Sequence, residues 1–307
     1  MSRNCIAYFV LLAAVLASGG VRVEAQPLVH QLDGFSSVDW RRSVVHAFGS
    51  GGHELADQDR TKRIEALESA KDAAARNLLK AVQQLSLNAS WTVRSAMQKQ
   101  SLLAIKVRSF VQRYQVTDTR SMSDMSVEVD VELPINNGLA ELFIPDVTGR
   151  GKFRLDDIPR SPLSLLPWPE CRPVPEGIKL VIASEGLVSY EGEAYTGLIL
   201  DARGLEVKPA ILPRILDENG EEVYGLNYVR RKKAVEQGMV SYKWTMKEAL
   251  RDRRAGKKPL LICAAGKSGR LQSDLIVSAN DAVLIHAAAK TQNFLKLARV
   301  ILVIGSK

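Results

Sequence analysis

Two stretches decide the fold of the first half of the chain: residues 64–85, IEALESAKDAAARNLLKAVQQL, and residues 125–133, MSVEVDVEL. In the first stretch the apolar side chains recur at spacings of three and four residues, and once of seven, so they share one face of a helix. In the second, apolar and polar side chains alternate strictly, which indicates a strand with one buried face. A long helix packed on an antiparallel sheet makes a compact α+β domain.

Further elements are expected around this helix and strand. Residues 38–48 predict a strand that enters a Gly-Ser-Gly-Gly turn at 49–52. A shorter helix is predicted over 96–105. Residues 107–116 predict the first arm of a hairpin, and the alternating strand at 125–133 is its second arm.

Prolines mark a boundary in the middle of the chain. Six of the twelve prolines fall between Pro159 and Pro175. Proline lacks the amide donor and restricts the residue before it, so this stretch forms neither a regular helix nor a central strand. We therefore expect two small α+β domains, at residues 27–150 and 177–307, joined by a proline-rich connector at 151–176.

Short apolar runs predict the strands of the second domain. Residues 196–201 predict an early strand, and residues 260–264 and 300–304 are wholly apolar, as expected for central strands buried on both faces. Between the last two, residues 281–289 predict a helix with Asn280 as its N-cap. This mixture of strands and helix predicts a second α+β domain.

The N-terminus has the three parts of a secretory signal peptide. Arg3 precedes an apolar run at residues 6–17, and small residues lead to a cleavage site that ends at Ala25. Twelve apolar residues span about 18 Å of helix, which is too short for a bilayer core of roughly 30 Å. We expect residues 1–25 to be removed, no transmembrane span in the mature chain and, for a bacterial source, a periplasmic location.

Cysteine and histidine are few. Removal of the signal peptide leaves Cys171 and Cys263, which either pair in an oxidising compartment or remain two separate buried thiols. Four histidines and the lack of HExxH or CxxC patterns disfavour a metal site. We therefore expect no metal ion.

Three near-matches to known motifs fail on their spacing. Glu54 stands where a dinucleotide fingerprint beginning at Gly49 needs its third glycine. Residues 265–268, AGKS, end like a phosphate-binding loop, but its first glycine would fall at Leu261 inside a predicted strand. No serine lies in a G-x-S-x-G elbow. His286 lies in an apolar helical run, which favours a hydrogen-bonded core residue. We expect no cofactor and no catalytic residue.

The positive charge is concentrated in one segment. The chain has 42 Lys and Arg against 34 Asp and Glu, a net charge of +8, but residues 26–150 hold 15 of each sign. Residues 226–258, the basic segment, hold eleven cations and three carboxylates. The cations are Arg230, Arg231, Lys232, Lys233, Lys243, Lys247, Arg251, Arg253, Arg254, Lys257 and Lys258. If residues 246–254 are helical, several of these cations line one face, and the segment either binds an anionic partner or is a solvated surface.

The first domain resembles a known family. A strand, the glycine-rich turn, an alanine-rich helix that ends in RNLLKAV at residues 76–82, and the alternating strand follow one another in this order. Residues 40–135 are thereby similar to a small domain of bacterial envelope lipoproteins, which also occurs near the N-terminus of the flagellar T-ring assembly protein. The chain departs from those lipoproteins because it lacks the lipidation cysteine. The resemblance implies a periplasmic α+β protein that acts by binding or assembly.

These observations favour a secreted, non-catalytic envelope protein. We expect its basic segment to contact an anionic envelope component, such as lipid headgroups, lipopolysaccharide or cell wall, or an acidic envelope protein. Nucleic acid suits the charge but not the compartment. One alternative is a subunit of a periplasmic ring, such as a flagellar or secretion-associated assembly, which would make the chain a homo-oligomer. A second is a periplasmic hydrolase, which requires a pocket with convergent titratable groups.

Overall fold

A computed structural model gives the fold of most of the chain. It describes residues 28–52, 60–123, 126–152, 179–182, 188–191 and 194–306. These residues form helices and sheets of a mixed α+β fold, as predicted. The predicted signal peptide, Cys171 and the proline-rich connector from residue 153 onward lie outside the described residues.

The first half is one antiparallel sheet with helices. Its elements are β1 (Val29–Asp33), β2 (Ser36–Asp39), β3 (Val44–Gly51), α1 (Arg60–Gln84), α2 (Val93–Lys99), α3 (Ser101–Val111), β4 (Gln115–Ser121), β5 (Val127–Pro134) and a 3-10 helix (Leu139–Leu142). The strands lie in the order β1-β2-β3-β5-β4, and all neighbours are antiparallel. Helix α1 packs across β3 and β5, so the predicted long helix on an antiparallel sheet is confirmed.

Small residues bring α1 and β3 unusually close. A Cβ atom at Gly49 would overlap the backbone of Ala74, and one at Gly51 would overlap the backbone of Ala70. The alternating side chains of β5 complete the interface, because its apolar positions are buried under the helix. Gly49 and Gly51 therefore lie in β3 rather than in the predicted turn, and they allow close backbone packing between this strand and an alanine-rich helix.

Two further predictions for the first half are wrong in detail. The strand expected over 38–48 is two strands, β2 and β3, separated by a turn in which Ser43 has a φ of 56°. Residues 107–111 belong to α3 rather than to a hairpin arm, which begins only at Gln115. Val107 and Val111 are spaced by four and are both fully buried, so a helical face outweighs the strand preference of β-branched residues.

The second half contains short strands and three helices among its described residues. Its elements are β6 (Lys179–Ile182), β7 (Val188–Glu191), β8 (Gly197–Asp201), β9 (Ile215–Leu216), β10 (Glu222–Tyr224), α4 (Arg231–Gln237), β11 (Ser241–Lys243), α5 (Met246–Arg251), β12 (Pro259–Cys263), β13 (Gly266–Ser268), β14 (Asp274–Ile276), α6 (Ala279–Gln292) and β15 (Val300–Val303). One sheet is wholly parallel, with the order β11-β15-β8-β12. A second, mixed sheet has the order β10-β9-β14-β13, and β6 pairs with β7.

Position in the parallel sheet explains the burial of each strand. The central strand β15 is buried at all four residues, as predicted for a strand covered on both faces. The run at 260–264 was expected to be central as well, but β12 lies at the edge and alternates between buried and half-buried residues. Helix α6 begins before the predicted start, and Ser278 rather than Asn280 is its N-cap because the Ser278 hydroxyl accepts the amide hydrogen bond of Asp281.

The two halves share one continuous hydrophobic core. The segment that leads from α1 to α2 is hydrogen-bonded to the second half: the amide of Leu212 donates to the carbonyl of Leu87 at 2.7 Å, and the amide of Leu271 donates to the carbonyl of Ala89 at 2.8 Å. Separating the halves would therefore expose apolar side chains and leave these backbone groups unpaired.

Candidate functional site

Arg254, one of the eleven cations of the basic segment, has a structural role. Its partly buried guanidinium donates hydrogen bonds to the carbonyl oxygens of Ala298, Gln237 and Gly238, at 2.6, 2.7 and 2.6 Å. These carbonyls precede β15 and β11, so the side chain ties together loops at the amino end of the parallel sheet. Helix α5 ends at Arg251, and Arg254 therefore does not lie on the expected basic helical face.

Lys243 is also engaged inside the fold. Its Nζ lies 2.6 Å from Oδ2 of Asp252, and only about a fifth of either side chain is exposed. Burial acts to raise the pKa of Asp252, but the hydrogen bonds from Lys243 and from the backbone amide of Arg254 hold that pKa below its ordinary value. This ion pair links the end of β11 to the segment after α5.

The cations of α4 have carboxylate partners nearby. Nζ of Lys233 lies 2.9 Å from Glu236, and Nζ of Lys232 lies 3.9 Å from the same carboxylate. Arg231 contacts Glu141 of the first half at 3.4 Å. These contacts reduce the charge that this helix presents to a partner. Arg230 is exposed at the N-cap of α4.

Most of the remaining cations lie towards the amino end of the parallel sheet, on a surface that we call the basic edge, and Lys247 extends this surface by one helical turn towards the start of α5. It consists of the exposed residues Lys247, Arg251, Arg253, Lys257, Lys258 and Arg299. Five of them belong to the predicted basic segment. Arg299 was missed because it lies outside that segment, directly before β15.

Pairing between neighbouring strands brings two of these cations together. Lys258 and Thr196 exchange hydrogen bonds, with the Thr196 amide donating to the Lys258 carbonyl at 2.8 Å and the Lys258 amide donating to the Thr196 hydroxyl at 2.9 Å. On the other side, the guanidinium of Arg299 lies 3.4 Å from the Thr196 carbonyl. Because β12 and β15 pair with opposite edges of β8, Lys258 and Arg299 lie on either side of Thr196. The backbones of Lys258 and Arg299 are therefore separated by about two strand spacings, or roughly 10 Å.

A glycine places the turn after α5 at the same edge. A Cβ atom at Gly197 would overlap the backbone of Ala255, so the turn after α5 packs directly on the start of β8. This turn carries Arg253 and Lys257. On α5, Lys247 and Arg251 are four residues apart and share one helical face.

The two carboxylates within residues 247–258, those of Glu248 and Asp252, bind other partners. Glu248 accepts the backbone amides of Trp244 and Thr245 and pairs with Arg41 of the first half at 3.1 Å. The carboxylate of Asp252 is bonded to Lys243. Among the described residues, these two carboxylates therefore pair with Arg41 and Lys243 rather than with the cations of the basic edge.

Two concave surfaces lie elsewhere. A cavity of about 220 Å³ is lined by Glu221, Glu222 and His286. The His286 ring is buried, with Nε2 at 2.9 Å from the carbonyl oxygen of Val223, so the prediction of a hydrogen-bonded core histidine is confirmed. A shallow depression of about 960 Å³ lies on the face of the first sheet that is opposite α1, beside Phe48.

Cys263, at the end of β12, is disulfide-bonded. Its partner lies outside the described residues, as does Cys171, so the pairing of these two cysteines stays a prediction. Over the described part of the chain, no cluster of three or more His, Cys, Asp or Glu side chains has the arrangement of a metal site. Among the described helices, none is long and apolar enough to cross a bilayer.

Comparison with known families identifies a similarity in the second half. Residues 197–306 match the family model described as the second domain of Tp0624 from Treponema pallidum. The match begins at the first residue of β8 and contains all four strands of the parallel sheet. It covers about a third of the chain. Comparison with curated proteins finds no match.

Proposed function

We propose that this chain is an exported, non-catalytic protein of the bacterial cell envelope that acts by binding. Its contact surface is the basic edge, and its ligand is an anionic envelope component. The observation that carries the proposal is the cluster of six exposed cations, within which the carboxylates of Glu248 and Asp252 bind Arg41 and Lys243. Each cation near an anionic membrane contributes about 1 kcal/mol, so a subset of the six is sufficient for attachment.

Three observations support export and a bacterial envelope. The predicted signal peptide provides the route, and the disulfide bond of Cys263 suits an oxidising compartment. The similarity to a domain of a Treponema pallidum protein agrees with a bacterial source. We place the protein in the periplasm, where lipid headgroups, lipopolysaccharide and cell wall are available and nucleic acid is not.

The roles of its perturbed titratable groups support a non-catalytic protein without a cofactor. Burial raises the pKa of Tyr224 and of Tyr242, and each hydroxyl donates to a backbone carbonyl within the core. Burial also raises the pKa of Asp274, whose carboxylate binds the guanidinium of Arg214 at 2.6 Å. These groups stabilise the fold rather than converge on a substrate pocket.

Co-sedimentation tests the proposal. The mature protein is mixed with phosphatidylglycerol-containing vesicles or with cell-wall sacculi, at low and at high salt. The test variant is Arg251→Gln/Arg253→Gln/Lys257→Gln. We expect binding at low salt, release at high salt and, for the variant, a loss of about 100-fold, because three cations contribute roughly 3 kcal/mol.

A matched control removes the same charge elsewhere. Arg63→Gln/Arg150→Gln/Lys208→Gln changes three exposed cations that lie outside the basic edge and outside residues 73–117. This control is expected to bind as the wild type does. Absence of low-salt binding to both materials, or an equal loss in both triple variants, would refute the proposal.

An exposed edge strand favours a second candidate, the subunit of a periplasmic assembly. Every residue of β4 is exposed, and β4 is the last strand of its sheet. Such an edge is a template for pairing with another chain. Sedimentation of the mature protein would show a homo-oligomer in this case, and a strict monomer without crosslinked partners contradicts it.

A further inference from the structure

The consecutive helices α2 and α3, joined at Gln100, present a second surface with a different chemistry, and we call this pair the α2–α3 hairpin. Its outer face carries Leu102 and Ile105, with 63% and 62% of their surfaces exposed, the highest values among the exposed large apolar side chains of the described residues. The opposite face of α3 buries Val107 and Val111 in the core. Leu102 and Ile105 therefore project into solvent from a helix whose opposite face is packed in the core.

The charged residues that precede and follow this pair in the sequence have one sign. Residues 73–117 contain seven Lys and Arg and no Asp or Glu. On and beside the hairpin the cations are Arg94, Lys99, Lys106, Arg108 and Arg113. The net charge of residues 26–150 is zero and does not reveal this positive stretch, because the carboxylates lie before and after it.

Helical geometry places the apolar pair between cations. At about 100° per residue, Leu102 and Ile105 project about 60° apart on the exposed side of α3. Lys106 lies about 40° beyond Leu102, and Arg108 lies about 60° beyond Ile105 on the other flank. An apolar centre with basic flanks is the arrangement of a helix that lies in the headgroup layer of a membrane.

We infer that the α2–α3 hairpin docks on an anionic lipid bilayer, with Leu102 and Ile105 inserted below the headgroups. The cations complement the lipid phosphates, and the exposed apolar pair distinguishes a bilayer from a polyanionic polymer, which offers no apolar phase. A capping box at Thr92 and Ser95 fixes the start of α2, so the hairpin meets the membrane preformed. The inference uses no residue of the basic edge and goes beyond the proposed function.

The test compares two double variants of the mature, disulfide-intact protein on vesicles of phosphatidylglycerol and phosphatidylcholine. Leu102→Ser/Ile105→Ser removes the apolar pair, and Ile64→Ser/Val147→Ser removes two other exposed aliphatic side chains. We expect at least a tenfold weaker vesicle affinity for the first variant and a change within about twofold for the control. Melting temperatures of both should stay close to the wild type, because all four side chains are exposed.

The depth to which residue 105 enters the bilayer is measured with the variant Ile105→Trp. Phospholipids brominated on the acyl chain should quench its fluorescence beyond the quenching of the wild-type tryptophans. Equal vesicle affinity of the wild type and Leu102→Ser/Ile105→Ser, or an unquenched tryptophan in the bound protein, would overturn the inference.

Vesicle binding by the basic-edge triple variant and by the hairpin double variant distinguishes this inference from the proposed function. If only the basic-edge triple variant loses binding, the hairpin inference fails and the basic edge stands. If only the hairpin variant loses binding to vesicles, and sacculi are not bound, the basic-edge proposal fails and the hairpin stands.

Discussion

Replacement of Arg254 by Met is expected to destabilise the fold far more than loss of any cation of the basic edge. The side chain of Met preserves much of the aliphatic stem but removes the guanidinium. Three carbonyl oxygens, which now accept hydrogen bonds of 2.6–2.7 Å, then lose a charged donor. The loops before β11 and β15 also lose the group that connects them.

The size of the effect follows from these three bonds. A hydrogen bond to a charged group contributes about 1.5–3 kcal/mol. The site is partly exposed, so water replaces some of the lost bonds and the lower end of that range applies. We expect a loss of about 3–5 kcal/mol, a large share of the roughly 5–15 kcal/mol of a typical domain.

Urea unfolding followed by circular dichroism measures this loss. Arg254→Lys is the conservative variant, and its single nitrogen cannot reach all three carbonyls, so an intermediate loss is expected. Arg253→Met is the matched control, because it removes a charge from the adjacent exposed residue and should change stability by less than about 0.5 kcal/mol. If Arg254→Met unfolds at the same urea concentration as Arg253→Met, the guanidinium does not hold the loops together.

Three further predictions concern stability. Gly49→Ala should cost about 1–3 kcal/mol in a urea titration because its Cβ meets the α1 backbone, whereas Gly34→Ala, which meets open space, should change little. Asp252→Asn should flatten the loss of stability below about pH 4 in unfolding measured from pH 6 to 2.5. A carboxyl pKa held below its ordinary value gives stability that is present above that value and lost as the pH falls through the folded-state pKa. Reduction of the disulfide should lower the free energy of unfolding by about 2–4 kcal/mol, and peptide mapping should find Cys263 linked to Cys171; a free thiol at Cys263 contradicts this.

Strong periodicity made the first domain predictable. The alternation at 127–133 and the helical spacing at 64–85 each repeat over many residues, and both elements are confirmed. Where the repeat is short, the types of residue present predicted the wrong element. Val107 and Val111 favoured a strand because they are β-branched, and only the burial of both on one helical face shows the helix.

The candidate site was only partly predictable because a count of charges does not reveal partners. Arg254 was counted with its exposed neighbours, yet it binds carbonyls of loops that lie 16 or more residues away in sequence. Arg299 was not counted, yet strand order places it beside Thr196 and Lys258. Both outcomes depend on the parallel sheet order, which the apolar runs do not specify.

The shared core gives the two proposed surfaces a common consequence. The segment that enters the α2–α3 hairpin is hydrogen-bonded to the second half through Leu87 and Ala89, and one hydrophobic core spans both halves. The hairpin and the basic edge therefore belong to one packed unit rather than to domains on a flexible linker. If the hairpin holds the protein on a lipid surface, contact of the basic edge with that surface becomes intramolecular. The strength of this second contact then depends on effective concentration more than on the affinity of the isolated basic edge. A weak basic edge is then sufficient, which agrees with a cluster of six exposed cations.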